Sequence, residues 1–542
     1  MYQDRKILMA KSGEENIYIY PKMANRHGLI AGATGTGKTV SLKVMAESFS
    51  DAGVPVFLAD AKGDLAATAF MGTENENVKS RVEKMGLEEL GFGYKSYPVT
   101  FWDVYGEKGL PLRTTISEMG PMLLSRILGL NDTQSAILTI IFKIADDEGL
   151  LLIDTKDLRA MLSFVSENAK EYSSTYGNIA KSSLTTIIRS VIALEEEGGD
   201  KFFGEPAVAI SDWLGTDCDG RGKIQILDCQ KLMLNPTMYS TFMLWMMSEL
   251  YENLPEAGDL EKPKMVFFFD EAHMLFDNAS KALLDKVEQV VKLIRSKGVG
   301  IYFITQNPRD IPDGVLSQLG NKIQHALHAY TPAEQKGAKA AADSFRVNPE
   351  FDTYETLQAL GIGEALISVL DEEGIPTIVK KCKVLPPQSL MGALDDAERD
   401  KQIKGSLLYT RYTDYFDRDS AYEFLTRRNL EQDEVQEEDS EEYEKTPKKR
   451  VDEAEEETAK KRSKSEEREL TSQEKLKKKE EEFRQKQVKN AAKSVASTAA
   501  GTIGRELGNS LGSSVGGKFG KKLGGNVGAS LGRGIIGTLF KL

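Results

Sequence analysis

A glycine-rich octapeptide near the amino terminus constrains the fold of this chain more than any other feature. Residues 32–39 read Gly-Ala-Thr-Gly-Thr-Gly-Lys-Thr, which matches the phosphate-binding loop pattern G-x-x-x-x-G-K-[ST]. The apolar run at 28–31 predicts a buried strand before the loop, and Val40, Val44 and Met45 have helical spacing after it. Strand, loop and helix in this order are the context that the motif requires. The alternative is a flexible glycine loop before an ordinary helix.

The loop also predicts the nucleotide contacts residue by residue. Its backbone N–H groups and the first turn of the following helix form a site for an anion such as a triphosphate. We expect Lys38 to reach the β- and γ-phosphates and the hydroxyl of Thr39 to bind Mg²⁺. The predicted nucleotide-binding residues are Gly32, Ala33, Thr34, Gly35, Thr36, Gly37, Lys38, Thr39 and Val40.

A second motif, about 230 residues further on, predicts that the nucleotide is hydrolysed. The apolar run 265–269 ends at Asp270 and Glu271, and such a run is typical of a strand buried on both faces of a parallel sheet. We expect Asp270 to bind the Mg²⁺ held by Thr39, and Glu271 to orient and polarise the attacking water. The alternative is a strand that ends in a solvated acidic turn.

Further apolar runs complete the predicted core. The run 299–304 is followed by Thr305 and Gln306, and a polar residue just past a core strand is well placed to sense the γ-phosphate, so Gln306 is a candidate catalytic residue. The runs at 54–60, 97–103 and 223–228 predict more buried strands. The sequence therefore predicts an α/β fold with a doubly wound, mainly parallel sheet.

The composition of successive segments predicts the domain organisation. We expect a first part of the ATPase core at 1–113, an inserted α-helical subdomain at 114–198 and a second part of the core at 199–387. The second part includes a hairpin-like pair at 364–370 and 375–379. After the core we expect a helical segment at 388–430, a Glu/Lys-rich linker or helix at 431–490 and a glycine-rich tail at 491–542.

The tail carries a four-residue repeat. From Ile503 to Ile535 an apolar residue recurs at every fourth position, and the first eight are each followed by glycine. On an α-helix this pattern gives an apolar stripe beside a Gly-x-x-x-Gly groove that another helix can approach closely. Because glycine destabilises an isolated helix, we expect this helix to need a partner helix or a lipid surface. Residues 491–542 hold seven Lys and Arg against one acid, which favours an anionic membrane surface. The alternative is a flexible low-complexity tail.

Charge and composition limit the function classes. Residues 1–430 hold 47 Lys and Arg against 61 Asp and Glu, which argues against a surface coated with basic nucleic-acid contacts but leaves room for a ring with a basic pore. The three cysteines share no C-x-x-C spacing, and no apolar stretch reaches the length of a spanning helix. These features predict a cytoplasmic protein. His325 and His328 are three residues apart, and we expect a structural role for them rather than a metal site.

Three runs together resemble a known family. Residues 25–39, 60–65 and 269–273 are similar to the YjgR family of HerA/FtsK-class ring ATPases, and the resemblance covers about residues 1–430. It implies a RecA-like P-loop core with Walker A and Walker B motifs, ATP and Mg²⁺ as cofactors, homo-hexamers, and a helicase-like or DNA-translocating role. Two departures stand out. HerA proteins proper carry an amino-terminal β-barrel, whereas about 27 residues precede this core, so the resemblance does not specify a partner nuclease. Residues 270–273 spell Asp-Glu-Ala-His, the DEAH motif of another helicase superfamily, but the other motifs of that superfamily do not accompany it.

The resemblance also implies an arginine that completes the site from a neighbouring subunit. Arg26, before the first core strand, and Arg295, before the strand at 299–304, are the positions most similar to the family's arginines, and Arg309 is a third candidate. Each of these is otherwise an ordinary surface residue. Two functions therefore stay open: a hexameric motor on DNA, or an ATP-driven switch or assembly factor that associates with the membrane through its tail.

Overall fold

A computed structural model describes residues 1–277 and 281–430, and within these ranges one sheet of thirteen strands organises the chain. In chain order the strands are β1 (Tyr2–Gln3), β2 (Lys6–Ser12), β3 (Glu15–Ile19), β4 (Gly28–Ala31), β5 (Val56–Asp60), β6 (Val99–Asp103), β7 (Leu110–Pro111), β8 (Ile224–Asp228), β9 (Met265–Phe269), β10 (Val299–Thr305), β11 (Asn321–Gln324), β12 (Glu364–Ser368) and β13 (Lys380–Val384). Their order in the sheet is β1-β2-β13-β12-β11-β4-β10-β9-β5-β8-β6-β7, and β3 also pairs with β2.

The part of the sheet from β11 to β7 is parallel throughout. Strand β10 lies between β4 and β9, with Thr305 opposite Ala31 and Phe303 opposite Phe269. The carboxyl ends of β4, β10 and β9 therefore meet at one edge of the sheet. The strands beyond β11 pair antiparallel and form a wing beside this parallel core.

Helices cover both faces of the parallel core. They are α1 (Lys38–Asp51), α2 (Glu76–Met85), α3 (Ile116–Ile127), α4 (Asp132–Glu148), α5 (Thr155–Glu167), α6 (Ala169–Tyr176), α7 (Lys181–Leu194), α8 (Asp200–Phe202), α9 (Pro236–Asn253), α10 (Lys281–Ile294), α11 (Asp313–Leu316), α12 (Pro332–Asp343), α13 (Thr353–Gln358), α14 (Asp396–Lys404) and α15 (Tyr409–Thr413). Residues 421–430 are also helical.

The sheet residues alternate between two hydrophobic cores, as the pleat of a strand requires. In β9, Phe267 and Phe269 belong to the core that includes α3, α4, α5, α7 and α9, whereas Val266 and Phe268 belong to the core that includes α1 and α2. Strands β4, β5, β6, β8, β9 and β10 each contribute residues to both cores and are thus buried on both faces. The predicted doubly wound α/β fold is confirmed.

Helices α3 to α7 lie between β7 and β8 in the chain and share one hydrophobic core with the sheet. Leu138 of α4 and Leu184 of α7 are fully buried in the same cluster as Trp102 of β6. Local signals start these helices: Thr115 and Glu118 form a capping box at α3, and Asn131 and Gln134 form another at α4. The division of the chain into the predicted domains stays a prediction.

The predicted hairpin-like pair at 364–370 and 375–379 forms only at its turn: Leu370 and Pro376 make an antiparallel bridge, and the N–H of Thr377 donates to the carbonyl of Val369 at 2.9 Å. The ladder partner of β12 is instead β13, which begins five residues after residue 375. The reason lies in the connection. Pro376 has no N–H to donate to a ladder, and the N–H of Val379 donates to the carbonyl of Arg346 at 3.1 Å instead of to β12.

The amino-terminal strands β1 to β3 belong to the same sheet and were not expected from the sequence. Residues 431–490 and 491–542, with the predicted linker and repeat tail, lie outside the described residues. Within the described ranges, no helix is both long enough and apolar enough to cross a membrane.

Candidate nucleotide-binding and catalytic site

The glycine-rich loop leaves β4 at the carboxyl edge of the sheet and runs directly into α1. Gly32, Gly35 and Gly37 have φ of +149°, +79° and +117°, a backbone region that other residues rarely adopt. The N–H of Gly32 donates to the carbonyl of Thr305 at 3.3 Å, which ties the loop to β10. A Cβ on Gly32 would lie 2.5 Å from Cβ of His325, so only glycine fits at this position.

The side chain of Lys38, at the start of α1, is buried inside the loop. Its ammonium donates to the carbonyl oxygens of Gly32 at 2.7 Å and Ala33 at 3.1 Å. Burial lowers the pKa of Lys38, and the nearby positive charge of Lys62 lowers it further. The ammonium of Lys38 therefore lies at the centre of the loop, where backbone carbonyl oxygens accept its hydrogen bonds.

All nine predicted nucleotide-binding residues lie in this loop and in the first turn of α1. Thr34 and Gly35 are exposed, whereas Thr36 is buried and its hydroxyl donates to the carbonyl of Ala33 at 2.7 Å. Thr39 and Val40 are partly exposed. The loop thus presents its tip to solvent and keeps its base packed.

The antiparallel wing braces the loop from the other side. The N–H of Gly363 donates to the carbonyl of Thr36 at 2.9 Å. Arg81 of α2 in turn donates to the carbonyls of Gly363 and Val384. His325, just past β11, hydrogen-bonds to Ser41 of α1 at 2.8 Å through Nε2.

Asp270 follows β9 at the same edge and is almost fully buried. One of its carboxylate oxygens accepts the N–H of Glu271 at 3.0 Å, and the hydroxyl of Tyr239 donates to its carbonyl at 3.1 Å. Burial raises the pKa of Asp270 to about 6, against the opposing effect of the Lys62 charge. Burial therefore opposes ionisation of Asp270, and the nearby charge of Lys62 favours it.

Glu271 adopts an uncommon backbone conformation, with φ of +47° and ψ of +47°. Its Oε1 lies 2.9 Å from Nζ of Lys62, and its Oε2 lies 3.5 Å from Nδ1 of His273. That longer contact does not make a hydrogen bond, so Oε2 is buried without a hydrogen-bond partner. Burial alone would raise the pKa of Glu271, but the pairing with Lys62 outweighs burial and holds the pKa below its usual range. Such strained backbone at a polar residue is typical of functional sites.

Gln306 is exposed and directly follows Thr305, whose carbonyl accepts the N–H of Gly32. It therefore lies at the carboxyl edge beside the glycine-rich loop. The hydroxyl of Thr305 donates to Asp310 at 2.7 Å, which fixes the turn that carries Gln306. Arg309 is exposed in the same turn.

The other two predicted arginines lie at the opposite edge of the sheet. Arg26 precedes β4 and Arg295 precedes β10, so both stand at the amino ends of these strands. Burial is the largest cause that lowers the pKa of Arg295, and the positive charge of Arg26 is the second. The two guanidinium groups therefore lie close to each other. Because β4 spans four residues, or about 13 Å, the structure does not bring either arginine to the glycine-rich loop of its own chain.

Sequence reasoning assigned no role to Lys62, His273 or Arg81. The position of Lys62 could have indicated its role, because it follows β5 by two residues and β5 lies next to β9 in the sheet. His325 was expected to be structural, and it hydrogen-bonds to Ser41 and to the carbonyl of Glu364 at 2.9 Å. His328 is exposed and stacks on Tyr330.

The residue types at this edge fit a nucleotide with Mg²⁺. Hydroxyl and carboxylate oxygens, as on Thr39 and Asp270, are the ligands that Mg²⁺ prefers in proteins. The ammonium of Lys38 is held by loop carbonyls that a phosphate can replace, and the buried Oε2 of Glu271 is free to accept a hydrogen bond. The site also stands at the amino terminus of α1, which favours an anion.

Comparison with known proteins assigns the family. The family model described as "Helicase HerA-like C-terminal" matches residues 5–519. The chain therefore belongs to the HerA-like helicase family of P-loop ATPases. The predicted resemblance to HerA-class ATPases is confirmed.

Two curated relatives match shorter segments. The probable helicase MJECL08 of Methanocaldococcus jannaschii is 29% identical over 168 residues, which are 29% of this chain and 30% of the relative. The DNA double-strand break repair helicase HerA of Sulfurisphaera tokodaii is 34% identical over 112 residues, which are 20% of this chain and 21% of the relative. The matches thus span less than a third of the length of either relative.

Among solved structures, the chain is similar to the plasmid coupling protein TrwB in complex with the non-hydrolysable ATP analogue ADPNP. The two are 13% identical, with a TM-score of 0.44 over 73% of this chain and 92% of the TrwB chain. TrwB is also solved in complex with ADP and Mg²⁺.

Proposed function

We propose that this protein binds ATP with Mg²⁺ and hydrolyses it at the carboxyl edge of the parallel sheet. The observation that carries the proposal is the meeting of three features at that edge. The glycine-rich loop follows β4, Gln306 follows β10 and Asp270 with Glu271 follows β9, and these three strands are adjacent. Phosphate binding, metal binding and activation of water need groups placed together in this way.

The roles follow from the contacts of each side chain. Lys38 exchanges the carbonyls of Gly32 and Ala33 for the phosphates, and the N–H groups of the loop bind the same oxygens. Thr39 and Asp270 hold Mg²⁺, which when bound neutralises charge on the phosphate oxygens. Glu271, kept ionised, orients and polarises the attacking water, and Gln306 senses the γ-phosphate.

We propose further that Arg26 and Arg295 act on the nucleotide of a neighbouring subunit in a homo-hexameric ring. Their position at the edge opposite the loop supports this role, since a head-to-tail ring places that edge of one subunit near the site of the next. In a test, Arg26→Ala is mixed with Glu271→Gln. Each variant alone is inactive under the proposal, and mixed rings regain part of the ATPase activity. No recovery on mixing contradicts action between subunits.

The substrate that fits the family best is DNA, and the second candidate is an ATP-driven switch or assembly role. The names of the curated relatives favour a helicase or DNA translocase. The acidic described region and the predicted membrane-binding tail favour the switch, in which a cytoplasmic protein associates peripherally with the membrane.

The ATPase rate with and without double-stranded DNA separates the two candidates. A DNA motor is stimulated by DNA at low salt and loses the stimulation as salt rises, because phosphate contacts release counterions. Glu271→Gln in parallel shows that the measured phosphate release belongs to this site. A rate that DNA leaves unchanged, with intact basal activity, contradicts the motor and supports the switch.

A further inference from the structure

Lys62 is the cation closest to the proposed water-orienting carboxylate. Its Nζ lies 2.9 Å from Oε1 of Glu271, and its side chain is 43% exposed, whereas that of Glu271 is 9% exposed. A lysine side chain carries three donors on a flexible stem. The partner of Lys62 is thus fixed and buried, while Lys62 itself reaches in from the solvent side.

The backbone under Lys62 is held firmly in place. The carboxylate of Asp60 accepts the N–H groups of Lys62 at 3.2 Å, Gly63 at 2.7 Å and Leu65 at 3.1 Å. The side-chain amide of Gln230 donates to the carbonyl of Lys62. Gly63 has φ of +79°, a backbone conformation that other residues rarely adopt, so glycine suits this turn. The loop therefore fixes where the stem of Lys62 begins and leaves the ammonium free to move.

Carboxylates outnumber ammonium groups around Lys62. Lys38 and Lys62 face Asp270 and Glu271, and the charge of Asp64 also raises the pKa of Lys62. A triphosphate with Mg²⁺ adds net negative charge beside this group. Lys38 reaches the β- and γ-phosphates from the loop. Lys62 lies beside Glu271, on the side from which the attacking water would approach the terminal phosphate. Oε2 of Glu271 has no hydrogen-bond partner, whereas Oε1 is paired with Lys62, so only release of Oε1 leaves both carboxylate oxygens available to orient that water.

We propose that Lys62 determines specificity for the triphosphate: it exchanges Glu271 for the terminal phosphate of ATP, and this exchange frees the carboxylate of Glu271 for water. The inference rests on the proposed ATPase function. ADP lacks the terminal phosphate, so with ADP bound Lys62 stays paired with Glu271. The site then distinguishes ATP from ADP through one side chain of its own subunit.

The test compares two nucleotides rather than one. Binding of a non-hydrolysable ATP analogue and of ADP, each with Mg²⁺, is measured by calorimetry on the full chain and on Lys62→Gln. We expect the affinity for the analogue to fall about tenfold or more, the scale of a lost charged hydrogen bond, while the affinity for ADP stays within about twofold. Lys62→Arg keeps the positive charge and should recover part of the loss. Unchanged ADP binding in Lys62→Gln also shows that the variant is folded.

Lys143 provides a matched control. It is also exposed and paired with a carboxylate, that of Asp147, on the surface of α4. Lys143→Gln should change neither affinity. Equal losses for both nucleotides in Lys62→Gln, or no loss for either, overturn the inference and leave a purely structural ion pair. Failure of the unmodified protein to bind either nucleotide overturns the proposed ATPase function instead.

Discussion

Acid should destabilise this protein through His27, which is buried where β4 begins. Its Nδ1 accepts the N–H of Ile301 of β10 at 3.0 Å, and its Nε2 hydrogen-bonds to the carbonyl of Val291 of α10 at 2.9 Å. A backbone N–H can only donate, so the imidazole is neutral with its proton on Nε2. Burial, and to a smaller extent the positive charge of Arg295, lowers the pKa of His27 to about 4.

The shift sets the sign and the size of the effect. A folded-state pKa below the ordinary value of about 6.5 means that the unfolded chain binds the proton more readily, so stability is present above pH 6.5 and is lost as the pH falls toward 4. Between pH 7 and pH 5, linkage gives a loss of about 2 kcal/mol in the free energy of unfolding from this residue. Asp60 acts in the opposite direction, because burial raises its pKa to about 7.

Because these effects offset each other, the measurement is a difference between variants. In His27→Asn the amide oxygen can replace Nδ1 as acceptor, and the backbone at this position, with φ of +57° and ψ of 172°, is strained for both residues at either pH, so that strain cancels from the pH difference. Urea unfolding at pH 7 and pH 5 should show that the unmodified protein loses about 2 kcal/mol more than His27→Asn over this interval. His328→Asn, at an exposed histidine, should follow the unmodified protein. The same pH dependence in His27→Asn and the unmodified protein would refute the assignment of a buried neutral imidazole.

Three further predictions concern the site and the tail. Lys38→Ala should abolish ATP binding with the fold intact, because it removes the charge directed at the phosphates; calorimetry that returns an affinity near that of the unmodified protein contradicts the role of the loop. Glu271→Gln should bind ATP, accumulate as assembled rings and hydrolyse about a hundredfold or more slowly, the scale of a lost general base; full turnover moves the catalytic role elsewhere. Truncation after Asn490 should leave the ATPase rate nearly unchanged and lower either recovery on anionic vesicles or higher-order assembly in sedimentation; identical behaviour of both chains returns the tail to the flexible low-complexity class.

The sequence predicted the features of this fold that are local in the chain. Apolar runs identified β4 and β9 at their observed bounds, because strands buried on both faces carry continuous apolar residues. The motif at 32–39 predicted the loop and the helix after it. The fold class and the HerA-like family are confirmed on this basis, whereas the roles of the individual site residues stay predictions.

Other features depend on contacts between distant segments and left no local pattern. Strand β13 reads Lys-Lys-Cys-Lys-Val. Its three lysines leave no apolar run, so the strand is recognisable only from its pairing with β12 and β2. The pair of Lys62 and Glu271 requires that β5 and β9 be adjacent, which apolar runs cannot specify. The same holds for His325, whose partner Ser41 lies 284 residues away.

The place of β4 in the sheet has a consequence for how the chain folds during synthesis. Its two neighbours are β10 and β11, which follow it by about 270 and 290 residues. At usual translation rates the ribosome therefore makes the glycine-rich loop about 15 to 60 s before the strands that flank it. During that interval β4 has two unpaired edges, which invite pairing with other chains, and the closing contacts are of high contact order and form slowly. Fragments that end before residue 299 should thus carry the complete phosphate-binding motif and still fail to form the site.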